Sequence, residues 1–291
     1  MAGNEQRSRG RRRSTDTSWD RVAGWYDGWV GSRGSRYHRA LAIPAILQLL
    51  DPRPNESILD IGAGQGVLAP YLVNGGARYT GIDASSRLIS LARRRHGHLG
   101  QFVVGDVARL SSLPGMNRAS HDAAVFLLSI QDMDPLEPVL TSVAWALRQT
   151  SRIVILMTHP AFRVPRHSGW GFDPGRKLTY RRLDSYLSPM DVPMKSVQGE
   201  PPTRSFHRPL GTYVNALARA GFAVDAMLEL PDFPAEARPG VARRSLPANL
   251  DIPLFLGLRA VRGQVQGRRS RDSDPRLRPT ARPSRSPDPD R

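Results

Sequence analysis

Ser57-Ile58-Leu59-Asp60-Ile61-Gly62-Ala63-Gly64-Gln65-Gly66 is the stretch whose reading decides the fold. A short apolar run ends in an aspartate and passes into three alternating glycines. Residues 67–73 then read as the start of a helix. Strand, glycine turn and helix together form the first unit of a doubly wound α/β domain. Glycines suit such a turn because they accept positive φ and let a ligand approach bare backbone. The helix N-terminus behind them offers unpaired N–H groups.

The spacing narrows the ligand. The dinucleotide fingerprint Gly-x-Gly-x-x-Gly needs its third glycine where this chain has Val67. Asp60, at the strand end, is also badly placed beside a pyrophosphate. A carboxylate there suits a cation, met directly or through water. The pattern Asp60-x-Gly62-x-Gly64-x-Gly66 resembles the first motif of class I S-adenosylmethionine (SAM)-dependent methyltransferases. SAM has no phosphate and carries a sulfonium and an ammonium.

Three further elements strengthen the resemblance. Residues 79–82 read as a second strand ending in Asp83, about twenty residues past the glycines, where an acid is placed to accept ribose hydroxyls. Residues 101–104 form a third strand before Gly105-Asp106-Val107; the resemblance implies that Asp106 receives the adenine amino group. Residues 121–128 are a fourth strand with the family's Asp-x-hydrophobic pattern. The resemblance covers about residues 19–262. The cofactor-binding set it implies is Asp60, Gly62, Ala63, Gly64, Gly66, Asp83, Ala84, Asp106 and Val107, with Tyr26 from an N-terminal lid. The Trp25-Tyr26-Asp27 segment looks like one found in relatives of the quinone-biosynthesis methyltransferases, where the Tyr lies over the cofactor. Residues from Trp19 to Asp51 read as two helices, interrupted at Pro44. Trp25 is expected in the core.

The resemblance implies a Rossmann-like seven-stranded sheet, order 3-2-1-4-5-7-6 with the last strand antiparallel and helices on both faces. Residues 1–17 are expected to be a disordered basic tail. Residues 18–262 form the methyltransferase domain, and residues 263–291 a disordered Pro/Arg/Ser-rich tail. Residues 85–95 read as a helix capped by Ser85, and 135–149 as another. Residues 152–158 are the fifth strand. A helix over 209–220 ends at Gly221. Strands over 222–228 and 251–261 complete the sheet. Between the fifth strand and that helix lies an aromatic, Pro- and Arg-rich insertion, 159–208, in which 177–186 alternates like half a hairpin. An insertion this long is expected to be functional, and the substrate side is placed there.

Composition sets limits. The 291 residues contain no cysteine, which removes disulfides, thiolate metal ligands and thiol nucleophiles. No metal site is indicated. The net charge is +16, and Arg far outnumbers Lys. Residues 1–18 contribute +3 and 262–291 contribute +5, leaving +8 between them. Nucleic-acid binding is therefore possible but not favoured. With no long apolar segment and no secretory pattern, the chain reads as cytoplasmic and not membrane-bound. Its oligomeric state is not legible.

The function expected is methyl transfer to a small-molecule acceptor. Two alternatives share the core: an RNA methyltransferase using the basic tails for phosphate contacts, and a non-catalytic SAM-binding protein. His207, His159 and His167 are the candidate general bases, because they lie in or beside the insertion and titrate near neutral pH. His38, His96, His98 and His121 read as surface groups. In the loop after the fourth strand, Gln131 and Asp132 are placed either to contact substrate or to cap the next helix.

Overall fold

A computed structural model describes residues 19–194, 202–233 and 248–263. The two tail expectations, 1–17 and 263–291, fall outside these residues, apart from Gly263. The chain enters through α1 (Ala23–Val30), a π-helical turn at His38–Ala42, and α2 (Ile43–Leu50). Pro44 sits in the first turn of α2, where its missing N–H costs nothing.

The core then alternates strand and helix: β1 (Ser57–Ile61), α3 (Ala69–Asn74), β2 (Arg78–Asp83), α4 (Ser86–His96), β3 (Gly100–Val104), β4 (His121–Leu127), α5 (Leu136–Ala146) and β5 (Leu147–Thr158). An insertion supplies β6 (Ser168–Asp173), β7 (Leu178–Leu183), β8 (Met190–Pro193) and β9 (Arg204–His207). The chain returns through α6 (Leu210–Arg219), β10 (Phe222–Leu230), α7 (Ala248–Asp251) and β11 (Phe255–Arg262).

The main sheet runs β10-β11-β5-β4-β1-β2-β3. β1 through β5 pair in parallel, and β11 lies antiparallel to both its neighbours. This is the expected order once the four insertion strands are set aside. Those four form two separate antiparallel pairs, β6–β7 and β8–β9. The hairpin half expected near 177–186 is β7.

Both faces of the central strands are buried, as parallel sheets require. In β5, Ile153, Ile155 and Met157 pack with α5 and α6, whereas Val154 and Leu156 face the layer containing α2, α3 and α4. Phe126 of β4 is wholly buried in the first layer.

Element boundaries shift for local reasons. The helix expected to reach 149 stops at Ala146, and β5 begins at once, with Leu147 buried and paired to His121. The amides of Ala119 and Ser120 take the carbonyls of Trp145 and Ala146, which ends the helix. The helix after the glycines begins at Ala69, two residues late, because 67–68 are still turn. The last strand starts at Phe255; α7 occupies part of its expected beginning.

Three burial expectations are corrected. Trp25 is exposed and stacks on the exposed Trp29, with ring centroids 6.1 Å apart, while Ala23 and Val30 carry the buried side of α1 and Val22 is buried just before it. His38 and His121 are buried rather than superficial. Each has a neighbouring serine hydroxyl at 2.9 Å from Nδ1, Ser35 for His38 and Ser120 for His121, which makes the interior position tolerable.

Candidate active site

The glycine turn is built from β1 outward. Gly62, Gly64 and Gly66 all have positive φ. At Gly62 a Cβ would lie 2.6 Å from the Ser129 Cβ, and at Gly66 one would lie 2.7 Å from the Phe102 ring. These two positions require glycine for space as well as for conformation. The amides of Gly62 and Ala63 donate to the Ile82 carbonyl at 2.8 and 3.0 Å, which holds the turn against the end of β2.

Asp60 lies in β1 and is almost completely buried. Its Oδ2 accepts the Tyr79 phenol at 2.7 Å, whereas Oδ1 has no partner. Asp60 faces Gly81 across the ladder. A Cβ at Gly81 would lie 2.7 Å from the Tyr79 hydroxyl, so a larger residue would obstruct that phenol. Burial pushes the Asp60 carboxyl up to about 7; the Tyr79 bond opposes this and Asp83 adds to it.

Asp83 ends β2. Its Oδ2 accepts the Gly64 amide at 2.8 Å and its Oδ1 the Ser85 amide at 2.8 Å. Both oxygens retain lone pairs for further donors. Burial raises its pKa, with those two amides opposing. Ala84 lies between it and Ser85, whose hydroxyl caps α4 by accepting the Leu88 amide at 3.1 Å.

Asp106 is exposed and follows β3. Its Oδ1 accepts the Ala108 amide at 2.9 Å and so caps a 3₁₀ turn at Val107–Ser112, of which Val107 is buried.

The N-terminal segment is fastened over this turn. Tyr26 lies 3.7 Å, through its Cε1, from where a Gly64 Cβ would stand. Burial, then Asp83, Asp132 and Asp60, raise its phenol pKa. Gln65 donates to the Gly31 carbonyl at 2.5 Å. Arg95 of α4 grips Asp27 of α1 with two bonds, at 2.5 and 2.8 Å. The Asp20 carboxylate accepts the Ser85 hydroxyl at 2.5 Å and the Arg87 amide at 3.0 Å.

The loop after β4 closes the other side. Ser129 donates to the Ile61 carbonyl at 2.6 Å, locking a 3₁₀ turn at Ile130–Asp132 against the first glycine. Gln131 bonds back to the Leu128 carbonyl at 2.8 Å. Asp132 is partly buried and hydrogen-bonded to Ser205 of β9. Burial pushes its carboxyl up to about 8; the Ser205 bond lowers it and Asp83 raises it. Arg208 anchors the loop by donating to the Met133 carbonyl and to Asp134, both at 2.7 Å.

The three histidines separate. His159 is buried at the end of β5, its Nε2 2.9 Å from Glu229 of β10 and its Nδ1 accepting the Ala161 amide at 3.2 Å. Both ring nitrogens are therefore engaged away from the glycine turn. Burial lowers its pKa, against the Glu229 bond and charge. His167 is half exposed beside Asp184, at 2.8 Å. His207 is buried in β9, two residues beyond Ser205, and its Nε2 donates to the Tyr186 carbonyl at 2.7 Å. Burial lowers its pKa as well.

Tyr79, Gln65, Ser129 and Ser205 were not legible as site residues. Their partners lie far along the chain, and only Gly81 carries a local trace, as the small residue beside the Tyr79 phenol.

These residues fit SAM. The unpartnered buried oxygen of Asp60 suits an ammonium, and Asp83 suits a ribose diol. A pyrophosphate would face Asp60, Asp83 and Asp132 at once. Among the described residues no group of His, Asp and Glu is arranged to hold a metal ion, and no helix is long and apolar enough to cross a membrane.

Comparison with known proteins agrees. A methyltransferase domain family model matches residues 59–155. Demethylmenaquinone methyltransferase of Beutenbergia cavernae is 27% identical over 157 residues, covering 54% of this chain and 58% of that enzyme. The chain thus matches little more than half the length of this relative. N-demethylindolmycin N-methyltransferase of Streptomyces griseus is 25% identical over 206 residues, covering 68% and 85%. The structure of a SAM-dependent methyltransferase from Mesorhizobium loti matches with a TM-score of 0.61 at 26% identity, covering 80% of this chain and 100% of that one. With its sheet order, its glycine turn and its carboxylates accounted for, the chain has the fold of the SAM-dependent methyltransferases it resembles, with a methyltransferase domain match over residues 59–155.

Proposed function

We propose that this protein transfers the methyl group of SAM to a small-molecule acceptor. The observation that carries this reading is Asp60: a buried carboxylate at the glycine turn with one oxygen unpartnered. A buried acid in that state calls for a cationic partner. The SAM ammonium is such a partner, and the ribose would then lie toward Asp83. Two relatives are named for the methylation of small molecules, a demethylmenaquinone and N-demethylindolmycin. This supports a small acceptor here.

Bound SAM supplies an electrophilic methyl on a good leaving group. The chain's own work is then positional: to hold the acceptor in line at about 3 Å and to exclude water. The N-terminal segment, fastened through Gln65, Arg95 and Asp20, does the excluding. The insertion strands β8 and β9, which bring Ser205 to the loop after β4, form the acceptor side. His207, on the same strand, is the histidine of the candidate set best placed to line that side; His159 and His167 serve as structural partners of Glu229 and Asp184.

Titration calorimetry tests the assignment. SAM and S-adenosylhomocysteine are expected to bind, and NAD and ATP are not. Asp83→Ala should weaken SAM about 30- to 150-fold, the value of one or two hydrogen bonds to a charged group. Unchanged affinity in that variant removes the assignment. Deleting 1–17 and 264–291 should leave transfer to a small acceptor intact; loss of activity on trimming would point to an RNA acceptor.

A further inference from the structure

Asp132 is an acid without a role in holding the cofactor. Asp60 and Asp83 suffice for the ammonium and the ribose. Asp132 sits on the opposite side of the glycine turn, on the 3₁₀ turn pinned to Ile61 through Ser129. It is joined to the insertion through Ser205 of β9. Ser129 and Met133, on either side of this turn, pack against Gly62, and Tyr26 packs against Gly64, so the turn that carries Asp132 and the Tyr26 ring both border the glycine loop; the phenol feels Asp83, Asp132 and Asp60 together. Arg208 fixes the loop from behind by binding Met133 and Asp134. Asp132 is therefore held where the cofactor side and the insertion side meet.

We propose that Asp132 is the proton acceptor for the methyl acceptor, and that the acceptor atom is an oxygen or nitrogen bearing a removable proton. The inference rests on the methyl-transfer reading above. The acceptor's lone pair forms the new bond to the methyl carbon. The carbon–sulfur bond breaks and its electron pair stays on sulfur, giving the neutral thioether of S-adenosylhomocysteine. The proton released from the acceptor O–H or N–H passes to an Asp132 carboxylate oxygen and leaves to water with the products. Ser205 orients that carboxylate.

The groups facing Asp132 decide its charge. They are Asp83 at the end of β2, Tyr26 on α1, Ser205 on β9, and Tyr213 on α6, which is itself hydrogen-bonded to Arg208. Burial and Asp83 keep the carboxyl protonated at neutral pH in the free protein. A sulfonium placed beside it reverses that balance and ionises it, which makes it a base only when the cofactor is present.

Two measurements test this. The first is calorimetry of SAM and of S-adenosylhomocysteine at pH 7.5, in buffers of different ionisation enthalpy. The two ligands share ammonium and ribose and differ in the sulfonium charge, so their difference cancels any protons from Asp60. SAM is expected to release about half a proton more than S-adenosylhomocysteine. In Asp132→Asn this excess should vanish, with each affinity kept within about threefold. The second is transfer of labelled methyl from SAM to a panel of small phenols, carboxylic acids and primary amines. Asp132→Asn should lower kcat at least about 100-fold with little change in KM and lose the rise of rate with pH, and Asp132→Glu should restore part of both. Equal proton release by the two ligands, a variant with wild-type rate and pH profile, or wild-type transfer to no member of the panel overturns the proposal and leaves the cofactor assignment standing. If the wild type binds neither ligand, the methyl-transfer reading itself falls.

Discussion

Asp60 and Asp132 are acids that the interior keeps short of water, and burial raises both, to about 7 and about 8. The sign of the pH effect follows. A carboxyl whose folded pKa is raised stabilises the fold fully below the ordinary carboxylate range, and that contribution is lost as pH rises through the folded pKa. The stability these two carboxyls contribute to the ligand-free protein should therefore be lost as pH rises to about 8, as the melting temperature of the wild type relative to Asp132→Asn, read in a series against pH, would show. SAM binding should move the other way, because the ammonium needs the ionised Asp60. The dissociation constant measured at pH 6 and pH 8 should tighten about tenfold, the change in ionised fraction across a pKa near 7. Asp60→Asn should weaken binding and reduce this dependence, leaving the part that comes from Asp132. Tyr79→Phe removes the bond that favours the ionised form, so its pH midpoint should move upward.

At the level of elements, the glycine turn and the N-terminal segment behave differently. Gly62 has no room for a methyl: φ is +70°, and the Ser129 Cβ and Met133 Cε stand at 2.6 and 2.9 Å from a Cβ there. Gly62→Ala should cost about 2–3 kcal/mol in chemical denaturation, from overpacking and from αL strain together. The Asp27–Arg95 pair is partly exposed, with side chains 22% and 29% accessible, so its thermodynamic contribution is at most about 1 kcal/mol. Its importance is as a fastening. Arg95→Ala should leave the melting temperature nearly unchanged yet speed SAM dissociation in stopped-flow measurements, because α1 would no longer be tied to α4. A slow, wild-type off-rate in this variant would show that α1 does not cover the site. In the insertion, β6 and β7 leave Phe172, Leu178 and Tyr180 exposed, whereas β9 buries Ser205, Phe206 and His207. The second strand pair is joined to the loop that carries Asp132 through Ser205.

The described core is one seven-stranded sheet between two helical layers, and its order puts β1 and β4 side by side at the centre. The C-terminal ends of β1, β2 and β4 thereby meet at one edge, where ligands bind in open α/β folds. Phe126 shows how much of that arrangement rests on packing. It is fully buried beneath α5, and Phe126→Ala should destabilise the protein by about 3–5 kcal/mol in denaturant titration, without altering any group at the site. The sequence alone determined the strand–turn–helix unit, the order of the main strands and the positions of Asp60 and Asp83. The unit and the acids follow from local rules, glycine at positive φ and an acid where a strand ends, whereas the strand order was what the family resemblance implied. It did not determine that Tyr79 would hold Asp60, that Ser205 would reach Asp132, that Trp25 would lie outside, or that His159 would be spent on Glu229. Those outcomes join residues 19 to 73 positions apart, or depend on which side of a helix the remaining chain covers. Periodicity records that a residue has a face, but only the closed sheet and its layers decide what that face meets.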